Sequence, residues 1–307
     1  MQTNLVSTSL ASLQLNNPLM LASGVMGYTA ESLNRVAKGG AGAVVTKSIG
    51  LNPRVGYPNP TVVQAEGGLI NAMGLPNPGI DAYTEEIKFC KTILKVPLIV
   101  SVFGYSADEY ATVAKKAVDA GADAVELNVS CPHVKQTGAE IGQSPHLLAE
   151  VVEKVKDVIN KPLIVKLSPN VTDITVPAKT AVEAGADILT AVNTLKAMAI
   201  DPETAQPILA NKKGGLSGPA IKPVALRCVY DIREELPDVP IIGCGGVMDW
   251  RDAVEFMLAG ASAVQVGTAI AFESTEVFQV ITRGVESYVR KKDYRSVKEI
   301  VNLAHRS

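Results

Sequence analysis

The stretch Ala124-Val-Glu-Leu-Asn-Val-Ser-Cys-Pro-His-Val134 decides the fold. It opens as a buried β-strand and runs into a loop that carries Asn128, Ser130 and Cys131. A strand that delivers an amide and a thiol to a loop is how a parallel barrel assembles an active site. Read alone, Cys131 is equally a small core residue, as free cysteines often are.

Working outward, this run is one of four introduced by Gly-Ala, at Gly40, Gly121, Gly185 and Gly260. Four more follow a proline: Pro18-Leu-Met-Leu, Pro97-Leu-Ile-Val, Pro162-Leu-Ile-Val and Pro240-Ile-Ile. The two signatures alternate along the chain. Proline can open a strand because the ladder does not yet need its N–H. Glycine fits the left-handed cap that ends a preceding helix. Short apolar runs with such punctuation read as strands buried on both faces.

Helical periodicity fills the intervals, over roughly 30–38, 79–94, 106–120, 145–159, 173–184, 220–235, 249–259 and 273–291. Residues 106–120 place Tyr110, Val113, Ala114, Ala117 and Val118 on one face. Strands alternating with helices, with no linker or composition break, predict an α/β fold, a (β/α)8 TIM barrel filling one domain over 1–307. Residues 4–15 alternate and predict a β-hairpin ahead of the barrel. The structural alternative is a doubly wound open sheet, but no Gly-x-Gly-x-x-Gly follows the first strand.

The composition fits a globular chain with a sizeable core: 307 residues, 47% hydrophobic and 20% charged. A formal net charge of −2 gives no field for nucleic acid or an anionic membrane. No apolar run approaches the ~18 residues of a membrane span, and residues 1–17 lack a signal-peptide pattern. A cytoplasmic protein is expected. Cys90, Cys131, Cys228 and Cys244 form no Cys-x-x-Cys pair, so a metal or iron–sulfur site of usual spacing and a disulfide framework are both excluded. Cys90 lies on the stripe Ile80, Tyr83, Ile87, Leu94, and Cys228 shares a face with Val224 and Ile232; both read as core.

The period also locates the site, because barrels place function at the C-terminal strand ends. Seven residues beyond each Gly-Ala glycine stand Lys47, Asn128, Val192 and Gly267. Four or five beyond each proline stand Ala22 and Ser23, Ser101, Lys166, and Cys244 and Gly245. Lys47 and Lys166 are the sharpest feature. A lysine at a buried strand end costs several kcal/mol unless an anion or acceptor compensates. Each reads as a ligand contact, a Schiff-base lysine of aldolase type, or a side chain snorkelling to solvent or paired with a structural carboxylate. Gly243-Cys-Gly-Gly-Val247 and Gly267-Thr268 suit backbone contact with a phosphate, with a helix N-terminus near Asp249 and another at Gly218-Pro219. Segments 49–78, 195–217 and 131–145 are long enough to be lids or binding loops, and the second has the glycine content of a mobile segment.

Asn128-Val-Ser-Cys-Pro132, taken with Asn71-Ala-Met-Gly-Leu75, resembles the dihydroorotate dehydrogenases. The likeness runs from Leu21-Ala-Ser-Gly24 through Val266-Gly-Thr-Ala269 and includes Lys47-Ser48 and Gly245-Gly246 in the same order. The soluble family 1 enzymes are most similar, because Cys131 stands at the base position. The resemblance implies FMN on the barrel mouth, contacted by Ala22, Ser23, Lys47, Ser48, Ser101, Asn128, Lys166 and Val192. It implies a phosphate held by Gly218, Gly245, Gly246, Gly267 and Thr268. It implies dihydroorotate and orotate against Lys47, Asn71, Ala72, Met73, Gly74, Leu75, Asn128, Asn193 and Thr194. Cys131 would take a proton from C5 as hydride leaves C6 for the flavin.

Two further points bear on substrate and acceptor. His133 stands where the family usually has Asn, and Cys-Pro-His is also similar to flavin enzymes acting on dihydropyrimidines. Asn128 to Lys135 and Gly215-Leu-Ser-Gly-Pro-Ala220 resemble subtype B, which implies a homodimer core in a heterotetramer. Its partner would be an iron–sulfur flavoprotein subunit with FAD and a 2Fe-2S cluster that passes electrons to NAD; the alternative is the fumarate-linked homodimer of subtype A. Outside this family, a lysine-dependent aldolase and a non-catalytic phosphate-ligand binder are the other function classes.

Overall fold

The computed structural model describes residues 4–129 and 138–306, with 138–140 by backbone alone. Eight strands form one parallel sheet: β1 (Leu19–Leu21), β2 (Val44–Val45), β3 (Leu98–Val102), β4 (Ala124–Asn128), β5 (Leu163–Leu167), β6 (Ile188–Ala191), β7 (Ile241–Cys244) and β8 (Ala263–Val266). They neighbour one another in chain order, β8 pairs with β1, and a parallel bridge between Met20 and Ala43 joins β1 to β2. The longer helices between and after them are α1 (Ala30–Lys38), α2 (Ile80–Ile93), α3 (Ala107–Asp119), α4 (Pro145–Val158), α5 (Thr175–Glu183), α6 (Lys222–Glu235), α7 (Trp250–Leu258) and α8 (Val277–Lys291), with short helical turns at Gly138–Gln143 and Ile270–Glu273. This is the barrel that the alternating signatures predict.

The Gly-Ala signature has the physical basis expected of it, and each proline immediately precedes its strand. At the end of α3, Gly121 takes φ +115°, and the N–H groups of Gly121 and Ala122 donate to the carbonyls of Val118 and Ala117. A Cβ would resist that left-handed turn. The same pair of bonds recurs after α1, α5 and α7. Where aspartate follows Gly-Ala, it ties helix to sheet: Asp123 accepts from Leu98 N (2.8 Å) and Lys91 Nζ (2.6 Å), and Asp187 accepts from Leu163 N and Lys156 Nζ at the same distances. On α6 the buried face is Ala225, Cys228, Val229 and Ile232, while Val224 is exposed. The expected Val224–Cys228–Ile232 face is therefore rotated by about one residue.

Inside the barrel, side chains alternate by layer. The lower layer is apolar: Ile99, Ala124, Ile164, Ile188, Ile242 and Ala263 cluster with Leu10, Leu13 and Leu15. Those leucines belong to an N-terminal hairpin, Thr8–Leu10 paired with Leu13–Leu15, which plugs the floor. Two residues further along, Ser101, Glu126, Lys166, Thr190 and Gln265 form a buried polar layer.

The long segments are not bare loops. Segment 49–78 contributes strands Val62–Ala65 and Gly68–Asn71, and segment 195–217 contributes Leu195–Ala197 and Gly214–Ser217. The four pair antiparallel into a second sheet, a crown over the barrel mouth. Ile70, Ala72 and Leu209 form its own small core. Among the described residues no helix is long and apolar enough to cross a membrane.

Candidate active site

One cavity of about 310 Å³ lies between the barrel mouth and the crown. That falls within the range of roughly 300–1,000 Å³ typical of small-molecule sites. Strand ends reach it in the order the period predicts: Ala22 and Ser23 after β1, Lys47 and Ser48 after β2, Ser101 on β3, Asn128 on β4, Lys166 on β5 and Val192 after β6.

Hydrogen bonds lock the rim. Ser48 Oγ lies 2.9 Å from Ser101 Oγ and accepts from Asn128 Nδ2 at 2.9 Å. Asn193 Nδ2 donates to Asn128 Oδ1 (3.3 Å), and Thr194 N donates to Asn193 Oδ1 (2.8 Å). Ser23 Oγ donates to the Thr46 carbonyl at 2.9 Å. A rim whose rotamers are fixed by neighbours presents donors and acceptors at set positions, which is what selective recognition requires.

Glycines form the wall beside β7 and β8. Gly245 and Gly246 take φ +133° and +81°. A Cβ on Gly246 would sit 2.7 Å from Lys222 Cβ and 2.8 Å from the Gly218 carbonyl. Only a bare backbone fits there, and Gly218, Gly245 and Gly246 line the cavity without side chains. Gly218 leads into a 3-10 turn, Pro219–Ile221, that runs into α6. Gly267 and Thr268 complete this wall, and Thr268 Oγ1 lies 2.9 Å from Ser217 Oγ. The end of α7 expected to face a phosphate is already satisfied: the Asp249 carboxylate accepts from Arg251 N and Asp252 N. The helical turn on the cavity wall is the one at Gly218.

The crown supplies Asn71, Met73, Gly74 and Leu75. Ala72, expected beside them, turns the other way and packs with Ile70 and Leu209, because successive residues of an extended chain face opposite sides. Asn77 fixes the loop: its Nδ2 donates to the Leu75 carbonyl (3.0 Å), and its Oδ1 accepts from Gly79 N (2.9 Å) and Gly50 N (3.2 Å). Asn170 joins β5 to the crown by donating to the Thr194 carbonyl (3.0 Å) and accepting from Lys196 N (2.8 Å).

The sequence reading missed the residues beneath Lys166. Lys166 Nζ donates to Gln265 Oε1 (2.7 Å), Gln265 Nε2 donates to Glu126 Oε2 (2.7 Å), and Thr190 Oγ1 donates to the same oxygen (3.1 Å). Glu126 Oε1 lies 4.0 Å from Lys166 Nζ. Glu126 is 0% exposed and Lys166 5%. Burial pulls Lys166 toward its neutral amine, but Cys244 and Glu126 outweigh it and hold its pKa above the usual lysine value. Burial pushes the Cys244 thiol up as well, and Lys166 offsets only part of that. Ser217 on the glycine wall was also missed. Cys131, Ser130 and His133 lie outside the described residues.

A family model described as dihydroorotate dehydrogenase matches residues 5–289. The chain is 54% identical over 303 residues to a protein of Methanothermobacter thermautotrophicus named dihydroorotate dehydrogenase B (NAD(+)), catalytic subunit, covering 98% of this chain and 99% of that one. A Pyrococcus abyssi protein of the same name is 53% identical over 300 residues, with 98% and 99% covered. Among solved structures, DHODH from Eimeria tenella in complex with ferulenol superposes with a TM-score of 0.87 at 23% identity, covering 100% of this chain and 90% of that one. That last likeness speaks to the fold alone.

Proposed function

The chain belongs to the dihydroorotate dehydrogenase family, and from that premise we propose that it is an FMN-binding catalytic subunit, a single barrel domain that oxidises (S)-dihydroorotate to orotate and passes the electrons on to NAD. The observation that carries this reading is one cavity walled on the β7–β8 side by bare backbone and on the β2–β4 side by Lys47, Ser48, Ser101 and Asn128. The side-chain-free wall of Gly218, Gly245, Gly246 and Gly267 fits a phosphate, and the buried Lys166 cation fits a ring system that gains negative charge on reduction. When bound, FMN supplies a two-electron acceptor for hydride.

The chain's own residues do the rest. Gly218, Gly245, Gly246, Gly267 and Thr268 would hold the phosphate, and Ser217 joins them through Thr268. Ala22, Ser23, Ser48, Ser101, Asn128, Lys166 and Val192 would line the flavin. Asn71, Asn128 and Asn193 each offer an acceptor and a donor, the pattern that the imide edges of orotate require. Lys47 supplies a positive charge for the carboxylate, and Met73, Gly74, Leu75 and Thr194 close the substrate side. Cys131, three residues beyond the end of β4, would take the C5 proton. A thiol must ionise to accept a proton, so reduction of the enzyme should quicken as pH rises toward the thiol pKa of roughly 8.5.

Anaerobic mixing with dihydroorotate tests this reading. The purified protein should carry FMN and bleach. Cys131→Ala should bleach more slowly by a factor of about 10²–10⁴, with its FMN content unchanged. Extraction of FAD or of no flavin, or a Cys131→Ala protein reduced at the parental rate, overturns it. The acceptor follows from the names of the relatives, which are catalytic subunits of NAD-linked enzymes. The expected partner is an iron–sulfur flavoprotein subunit carrying FAD and a 2Fe-2S cluster, bound to a homodimer of this chain in the cytoplasm. NAD reduction should need that subunit, whereas efficient fumarate reduction by the isolated chain would favour the fumarate-linked type.

A further inference from the structure

We propose that Glu126 is a positioning residue for this chemistry: it holds Lys166 against the cavity floor and keeps it a cation there. The inference rests on the reading above, in which Lys166 faces the flavin. It adds a residue that touches neither flavin nor substrate.

A carboxylate with no exposed surface in the middle of a barrel strand is costly to keep, by several kcal/mol for an isolated charge. Packing does not demand it, since the neighbouring layer is filled with isoleucine and alanine. Its two oxygens are used unequally. Oε2 accepts from Gln265 and Thr190, which fixes the carboxylate plane. Oε1 has no hydrogen-bond partner among the described residues and lies 4.0 Å from the Lys166 ammonium. Gln265 bridges the two residues, accepting from Lys166 and donating to Glu126, so carboxylate and ammonium are held at a fixed separation. An oxygen left without a partner beside a fixed cation acts through its charge.

Among the described residues, the groups around Lys166 come from four strands. Glu126 comes from β4, Thr190 from β6, Cys244 from β7 and Gln265 from β8, and Lys47 is the other cation on the cavity wall. Thr190 and Gln265 carry no ionisable group, and burial raises the Cys244 thiol. Among the described residues Glu126 is the carboxylate whose free oxygen faces the ammonium, at 4.0 Å. Without it, burial favours the free amine, so Lys166 loses its proton as pH rises and regains it as pH falls.

The test compares the flavin midpoint potential of the holoenzyme with those of Glu126→Gln and Lys166→Gln at pH 5.5 and pH 9. Glu126→Gln should match the parent at pH 5.5 and fall below it at pH 9. A tenfold loss of reduced-flavin stabilisation corresponds to about 30 mV for this two-electron couple. Lys166→Gln should be lowered at both pH values. A Glu126→Gln potential equal to the parent throughout, or displaced equally at both pH values, overturns the proposal, because a merely structural residue gives no pH-dependent rescue. If Glu126→Gln does not fold, Glu126→Asp serves: its retracted carboxylate should give a smaller fall at pH 9 alone, and parental behaviour overturns the inference. A parent without flavin, or a Lys166→Gln potential equal to the parent, instead removes the premise that Lys166 faces the flavin, and the proposal goes with it.

Discussion

The barrel sheet and the crown sheet are built on opposite principles. In β3, β4 and β5 every residue is buried, and both faces are covered. In the crown, Val62–Ala65 alternates between exposed and half-buried positions, and the sheet rests on three buried side chains, Ile70, Ala72 and Leu209. The barrel strands are joined through helices, while the central crown pairing joins residues 69–71 to 215–217, nearly half the chain apart. The cavity lies where the two meet. The barrel contributes the glycine wall and the lysines, and the crown contributes Asn71 and the loop to Leu75. On the proposed function, the rigid sheet holds the flavin and the lightly supported one selects the substrate.

Core truncation in the two sheets should separate these roles most strongly. Ile164→Ala in the barrel floor should lower global stability by about 2–5 kcal/mol. Ile70→Ala in the crown should leave the global denaturation midpoint nearly unchanged and raise the KM for dihydroorotate. Equal losses of stability in denaturant titrations of the two variants would show that the sheets unfold as one unit.

A smaller effect is expected at the seam within the crown. A Cβ on Gly215 would meet Thr194 Oγ1 at 2.0 Å. Gly215→Ala should therefore displace Thr194 and lower kcat/KM for dihydroorotate by up to about 10²-fold, with FMN retention unchanged. If FMN is lost as well, barrel and crown are more tightly coupled than their separate cores suggest.

The mildest test reads the outer barrel through its cysteines. Burial pushes the Cys90 thiol up to about 12 and the Cys228 thiol to about 11. Both stay protonated at pH 8, so native alkylation should be slow, and Ile70→Ala should not speed it, whereas Ile164→Ala should. The same shifts set a sign for stability. An unfolded thiol ionises near 9 while the folded one does not, so stability should decline as pH rises from about 9 toward 11–12. Mass-spectrometric alkylation rates and alkaline denaturation curves check both expectations.

The barrel was legible because its signals are local. Pro97 opens β3, Gly121 closes the turn after α3, and the helix read over 106–120 runs Ala107–Asp119. Counting from those marks reached Lys47, Asn128, Lys166 and Gly267, all on the cavity wall. The crown was not legible, because its strands are short and its central pairing joins residues about 145 apart, so the glycine content of segment 195–217 read as that of a mobile loop. Glu126 escaped notice because a single charge inside an apolar run resembles an exception. The usable signal was period two: Glu126 stands two residues before Asn128, and Gln265 two before Gly267, so both point into the barrel. Val224 shows the opposite error, in which apolarity at the right spacing was taken for burial.

The hairpin under the barrel carries a consequence for how the molecule is made. Leu10, Leu13 and Leu15 leave the ribosome before any barrel strand, and their cluster includes Ala263 of β8. Thr8 Oγ1 donates to the Ser262 carbonyl, 254 positions away in sequence (3.1 Å). Contacts of such separation form late and slow folding. The emerging chain must therefore carry an uncovered leucine pair of strands until β8 is synthesised, which makes the N-terminal hairpin the segment most in need of chaperone protection. Shortening the chain before Ala263 should yield an aggregating product that retains helical content.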